Sequence, residues 1–86
     1  MVIMKSIKIM KKHYFTTEFK MLGLKIAYYR KTRGYTQEKL SELMDVSTSY
    51  IGAIEAPNMN NPISLTTLFR IAKILDVPAW KFLDFD

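Results

Sequence analysis

Thr36 to Glu55, TQEKLSELMDVSTSYIGAIE, reads as two short helices joined by a tight turn. Thr36 is placed to cap the first, and Leu40, Leu43 and Met44 recur at a spacing of three to four, which gives that helix one apolar face. Asp45 ends it. Aspartate tolerates the left-handed conformation a helix stop often needs, and Val46 behind it can turn inward. Ser47 offers a new N-cap oxygen, and the second helix starts there with Ile51, Ile54 and part of Tyr50 facing in. Thr48, Ser49, Gly52 and Ala53 are left on the outer face. Three or four connecting residues are too few to lay two helices antiparallel, so the pair should cross steeply, as in a helix-turn-helix.

Upstream, a helix is expected from about Glu18 to Thr32, capped by Thr16 or Thr17, with Phe19, Leu22, Ile26 and Tyr29 as its buried stripe. Gly23 inside it costs about 1 kcal/mol against Ala and so marks a close helix crossing. Lys25, Arg30, Lys31 and Arg33 crowd its C-terminal half, where positive charge suits the dipole, and Gly34 ends it. Downstream, Ala56 to Pro62, APNMNNP, holds two prolines and three asparagines and precludes regular structure. Asn58, Asn60 and Asn61 make it either a plain turn or a phosphate clamp. Ser64 then caps a helix whose buried face is Leu65, Leu68, Ile71, Ala72 and Leu75, with Phe69 extending it. Asp76-Val77-Pro78 closes that helix and opens a last one. Trp80, Phe82, Leu83 and Phe85 are more large apolar groups than a short terminal element hides, so some should finish the core and the rest meet a partner.

These residues together resemble the phage-repressor-like helix-turn-helix family, the Cro and phage-repressor group. The likeness is carried by Thr36-Gln37, Leu40, Val46-Ser47, Tyr50-Ile51 and Ile54-Glu55. It extends upstream through Leu22-Gly23, Ile26 and Arg30, and downstream through Ser64-Leu65, Leu68, Ile71-Ala72, Leu75, Val77 and Phe82-Leu83. It thus spans roughly Phe19 to Leu83. The resemblance implies an all-α, compact five-helix lambda-repressor-like domain over residues 17–86, preceded by an N-terminal basic arm at residues 1–16. It implies a transcriptional regulator, a repressor, whose third helix enters the major groove of double-stranded DNA. On that mapping Thr48, Ser49, Gly52 and Ala53 meet base edges. Gln37, Lys39 and Ser47, with Asn58, Asn60 and Asn61 in the clamp reading, meet the backbone. The family's arginine–glutamate pair falls on Arg30 and Glu55. Affinity would come from a homodimer reading two half-sites roughly 34 Å apart. One departure stands out: the recognition positions are short, with no Arg, Asn or Gln for a bidentate base contact, so readout should rest on hydroxyls, thymine methyls and DNA shape. An antitoxin whose main partner is a toxin protein, or a protein-interaction module on the same fold, is the alternative.

Eighty-six residues make one small domain, and 49% apolar content supplies a core. Thirteen Lys and Arg against eight Asp and Glu give a net charge of +5, suited to a polyanion or simply to a basic surface. The absence of cysteine rules out disulfides and thiolate metal sites and fits a reducing cytoplasm. No apolar run approaches the roughly 18 to 20 residues of a membrane helix, and the opening MVIMK does not read as a signal peptide. No sensor domain is expected after Asp86. Met1 to Tyr14 fits a helix through Ile3, Ile7, Met10 and Tyr14 and a strand through Ile7 to Ile9 equally well. With Lys5, Lys8, Lys11 and Lys12 it reads as a frayed arm, as residues ahead of an alternative start at Met10, as a dimer-pairing strand, or as a basic arm for phosphates. His13 has no second ligand nearby and reads as a surface residue. No enzyme is expected: the carboxylates stand singly, Ser41, Ser47, Ser49 and Ser64 have no histidine partner, and there is no phosphate-cradling glycine loop. No cofactor or metal is implied.

Overall fold

The computed structural model describes residues 15–56 and 62–85. Over these the chain forms α1 (Thr16–Thr32), α2 (Gln37–Met44), α3 (Thr48–Glu55) and α4 (Leu65–Leu75), followed by a 3-10 turn at Ala79–Leu83. No strand occurs among the described residues. The expected fifth helix is this single turn.

The starts and stops follow local chemistry. Thr36, Ser47 and Ser64 each accept a backbone N–H three residues on, from Lys39, Tyr50 and Thr67. Each such cap is worth about 1 kcal/mol. Three helices end in the same left-handed stop. After α1, Gly34 has φ +76° and Tyr35 N–H returns to the Arg30 carbonyl at 3.1 Å. After α2, Asp45 has φ +57° and Val46 N–H returns to Ser41 at 3.0 Å; after α4, Asp76 has φ +56° and Val77 N–H returns to Ala72 at 3.0 Å. The two Asp-Val pairs are thus the same device, the aspartate reversing the chain and the valine dropping toward the core. The start of α1 differs from expectation. It begins at Thr16, after Phe15 in the left-handed region and with no side-chain cap, so neither Thr16 nor Thr17 serves as one.

Leu22, Ile26, Leu40, Met44, Ile51, Ile54, Leu68, Ile71, Ala72, Leu75, Val77 and Phe82 form one core. Tyr29 meets Phe82 edge-on at 5.1 Å, which ties α1 to the terminal turn. Gly23 is buried where α1 crosses α3: a Cβ there would lie 2.4 Å from the Ile54 carbonyl oxygen. Only glycine admits that approach. Three expected core positions point outward instead, Leu43, Leu65 and Phe69, at 44%, 63% and 55% exposure. The strip of α2 that α3 and α4 cover is centred on Leu40, Ser41 and Met44, and that of α4 on Leu68, Ile71, Ala72 and Leu75, which leaves these three on the flanks. Of the large apolar groups at the end, Phe82 is fully buried and Phe85 half-buried, while Trp80 and Leu83 stay open.

Two arginines close helix ends that the local sequence leaves open. Arg33 donates to the carbonyls of Leu75 and Asp76 at 2.5 and 2.7 Å, and Arg70 donates to the Met44 carbonyl. Each places a cation on carbonyls at the negative end of another helix.

Candidate nucleic-acid interface

The outer side of α2 and α3 is built on one buried ion pair. Arg30 Nε and Nη2 donate to Glu55 Oε2 and Oε1 at 2.8 and 2.9 Å, a two-pronged bond, and Nη1 donates to the Tyr35 carbonyl at 2.7 Å. Both side chains are almost wholly buried. The hydrogen bond to Glu55 holds the Arg30 guanidinium above its ordinary pKa against the opposing effect of burial. The pair that the family resemblance implied is therefore present, fixing the end of α3 to the last turn of α1.

Glu55 has a third donor. Gln37 Nε2 reaches Glu55 Oε1 at 3.0 Å, so the first residue of α2 is tied to the last residue of α3. One of that nitrogen's two N–H groups is thereby used, and the side chain, expected on a phosphate, is first of all a brace between the two helices. Its Oε1 lies beside Gly52. At the other end of the pair, Ser41 and Thr48 hydroxyls meet at 3.1 Å. The two helices are thus pinned at both ends as well as packed between.

Thr48 and Ser49 are exposed on the outer face, and Gly52 and Ala53 are half-buried along it, so the four residues expected at base edges share one surface. Ser47 is also exposed, its oxygen engaged as the N-cap of α3. Lys39 stands on the exposed side of α2, 4.0 Å from Glu42. Asn58, Asn60 and Asn61, like His13 and Met1 to Tyr14, lie outside the described residues. Sequence reading did not anticipate that Arg33 and Arg70 serve helix ends; with Arg30 they are all the arginines in the chain, and all three have internal partners. Positive charge for an outside partner therefore rests on lysines.

Among the described residues nothing requires Gly52 to be glycine. A Cβ built there would meet only Gln37 Oε1, at an ordinary 3.6 Å, among the described residues. Glycine within a helix costs about 1 kcal/mol against alanine, so a bare backbone at this place weakens α3 without helping the chain pack. No group of His, Cys, Asp and Glu among the described residues is set to hold a metal ion, and none of the described helices is long and apolar enough to cross a membrane.

Residues 26–79 match the family model described as helix-turn-helix. Over 64 residues the chain is 38% identical to the HTH-type transcriptional regulator SinR of Bacillus subtilis (strain 168) and 36% identical to SinR of Bacillus licheniformis. Each match takes in 74% of this chain and 57% of the relative, so the chain spans little more than half the length of these regulators. Among solved structures it is similar to the SinR protein/SinI protein complex, with a TM-score of 0.66 and 36% identity over 74% of this chain and 61% of that one. It is similar too to the crystal structure of the master regulator for biofilm formation SinR in complex with DNA, with a TM-score of 0.65 and 36% identity over 73% of this chain and 98% of that one. The left-handed stop at Asp45, the Arg30–Glu55 pair and these matches agree, and the chain belongs to the phage-repressor-like helix-turn-helix family.

Proposed function

We propose that this chain is a sequence-specific DNA-binding transcriptional regulator, a cytoplasmic repressor that acts by binding and not by catalysis. The observation that carries the reading is Gly52, a glycine on the outer side of α3 that weakens the helix and that none of the described residues crowds. Its use lies outside, where a bare helix lets a partner surface come close. The likeness to a SinR structure in complex with DNA supports duplex DNA as that partner. In this arrangement α3 enters the major groove with Thr48, Ser49, Gly52 and Ala53 toward the bases, and Gln37, Lys39 and Ser47 lie along the backbone with Asn58, Asn60 and Asn61. Residues 17–86 form the reading unit, the terminal 3-10 turn taking the place of a fifth helix. Residues 1–16 form a basic arm whose Lys5, Lys8, Lys11 and Lys12 add phosphate contacts that the occupied arginines cannot.

The chain works as a homodimer on two half-sites one turn apart, through the apolar surface around Trp80 and Leu83, which are 62% and 47% exposed. That surface also favours a second reading, in which a partner protein docks there, as in an antitoxin; the likeness to a SinR structure in complex with SinI belongs with it. Selection from a random duplex pool tests the first reading. The expected product is a site with two related halves. Recovery of no preferred sequence, with an unshifted duplex at low salt, would replace it with the interaction-module reading.

A further inference from the structure

The hydrogen bonds around Thr48 settle which way its hydroxyl points. Ser41 Oγ lies 2.7 Å from the Glu38 carbonyl, which can only accept, so the single Ser41 hydrogen goes there. Ser41 Oγ is also 3.1 Å from Thr48 Oγ1. With its own hydrogen in use, Ser41 can only accept in this second bond, and the Thr48 hydrogen supplies it. Ser41 is buried while Thr48 is exposed, so Thr48 turns its hydrogen inward and leaves only lone pairs toward the outside.

Thr36 and Ser47 are the other way round. Their oxygens accept backbone N–H groups of Lys39 and Tyr50, and their own hydrogens are not called on by those bonds. A phosphate oxygen has no hydrogen to give, so it suits Thr36 and Ser47 and does not suit Thr48 while the Thr48 hydrogen is given to Ser41. Base edges in the major groove do offer hydrogens: the N6 amino group of adenine and the N4 amino group of cytosine. Guanine and thymine present only acceptors, with the thymine methyl, at the corresponding places.

We propose that Thr48 is an acceptor-only specificity residue, which selects adenine or cytosine over guanine or thymine on the strand it faces, and that buried Ser41 sets this polarity. The proposal rests on the reading of α3 as the helix in the major groove. It assigns Ser41 a positioning role, since its hydroxyl is buried between Glu38 and Thr48 and acts on the DNA only through Thr48.

The experiment is selection from a random duplex pool by the full chain and by three variants, followed by titration on the recovered site and on versions changed at one position. Wild type is expected to favour A or C over G or T about ten-fold at one position of each half-site. Thr48→Val keeps the branched shape without the hydroxyl and should lose that preference, and Thr48→Ser should restore it. Ser41→Ala removes the hydrogen's destination, so Thr48 becomes free to donate, and the position should admit all four bases while the others keep their preferences. An unchanged preference in Thr48→Val overturns the proposal. So does an unchanged preference in Ser41→Ala, or a loss in Thr48→Val that is equal on every duplex. Recovery of no sequence by wild type overturns the DNA reading itself and this inference with it, whereas a recovered site insensitive to Thr48 overturns this inference alone. Melting temperatures within a few degrees of wild type establish that each variant is folded.

Discussion

The two helical glycines invite the same substitution with opposite results. Replacing either by alanine should gain about 1 kcal/mol in helix propensity. At Gly52 no described residue opposes the gain, because the new methyl group would sit 3.6 Å from Gln37 Oε1, an ordinary contact. Gly52→Ala should therefore raise the melting temperature by about 4 to 8 °C, the change that 1 kcal/mol produces in a domain of this size. At Gly23 the methyl would sit 2.4 Å from the Ile54 carbonyl oxygen and 3.3 Å from the Glu55 α-carbon. Backbone atoms cannot rotate aside. Since ordinary contact begins near 3.4 Å, α1 and α3 must part by about 1 Å. Overpacking of this kind costs about 1 to 3 kcal/mol, and an immovable carbonyl belongs at the upper end. Net of the propensity gain, Gly23→Ala should lose about 1 to 2 kcal/mol and melt about 5 to 15 °C lower. Thermal unfolding followed by circular dichroism measures both. Titration on a selected duplex completes the test: Gly52→Ala, though more stable, should bind about ten-fold or more weakly, which corresponds to about 1.4 kcal/mol. A destabilised Gly52→Ala would refute the open space drawn beside that residue. A stable variant with unchanged DNA affinity would refute the claim that a partner needs the bare helix, and a stabilised Gly23→Ala would refute the close crossing.

Four further outcomes are expected. Glu55→Ala leaves the Arg30 charge buried with only the Tyr35 carbonyl, and should cost about 3 to 5 kcal/mol against at most about 0.5 for Glu42→Ala; equal melting temperatures would reject the difference. Asp45→Gly and Asp76→Gly should each stabilise by about 0.5 to 1 kcal/mol, because both positions have φ near +57° and both put a negative charge at a helix C-terminus, and denaturant midpoints would detect it. Trp80→Ser should leave the chain folded but weaken self-association in sedimentation, and a wild type that stays monomeric at high concentration, with or without duplex, removes the dimer surface proposed here. Lys39→Ala should weaken binding to all duplexes alike and make the salt dependence shallower by about one unit; a loss confined to one sequence would place Lys39 on a base instead.

The chain's own order of residues was enough for the helix-turn-helix, because its starts and stops are local. Thr36, Ser47 and Ser64 cap the helices that follow them, and Asp45 and Asp76 reverse the chain within hydrogen bonds spanning six residues. Gly23 was legible as a close crossing. The outer face of α3 was legible too, since the buried Ile51 and Ile54 leave Thr48 and Ser49 nowhere to go but outward. What tertiary structure alone decided is how wide each buried strip is and where polar side chains find their partners. Periodicity says that Leu43, Leu65 and Phe69 lie near an apolar face, but only the neighbouring helices determine where cover stops, and it stops short of all three. Arg33 and Arg70 find their carbonyls across 42 and 26 residues of sequence, and Gln37 finds Glu55 across 18. No local pattern encodes such distances. The same holds for the bond between Ser41 and Thr48: in sequence they are two hydroxyl residues on different helices, and their polarity exists only once the turn at Asp45 has brought the helices together. Gly23 and Gly52 look alike on the page of sequence. Only the neighbouring atoms separate the glycine that the fold requires from the glycine that it merely tolerates.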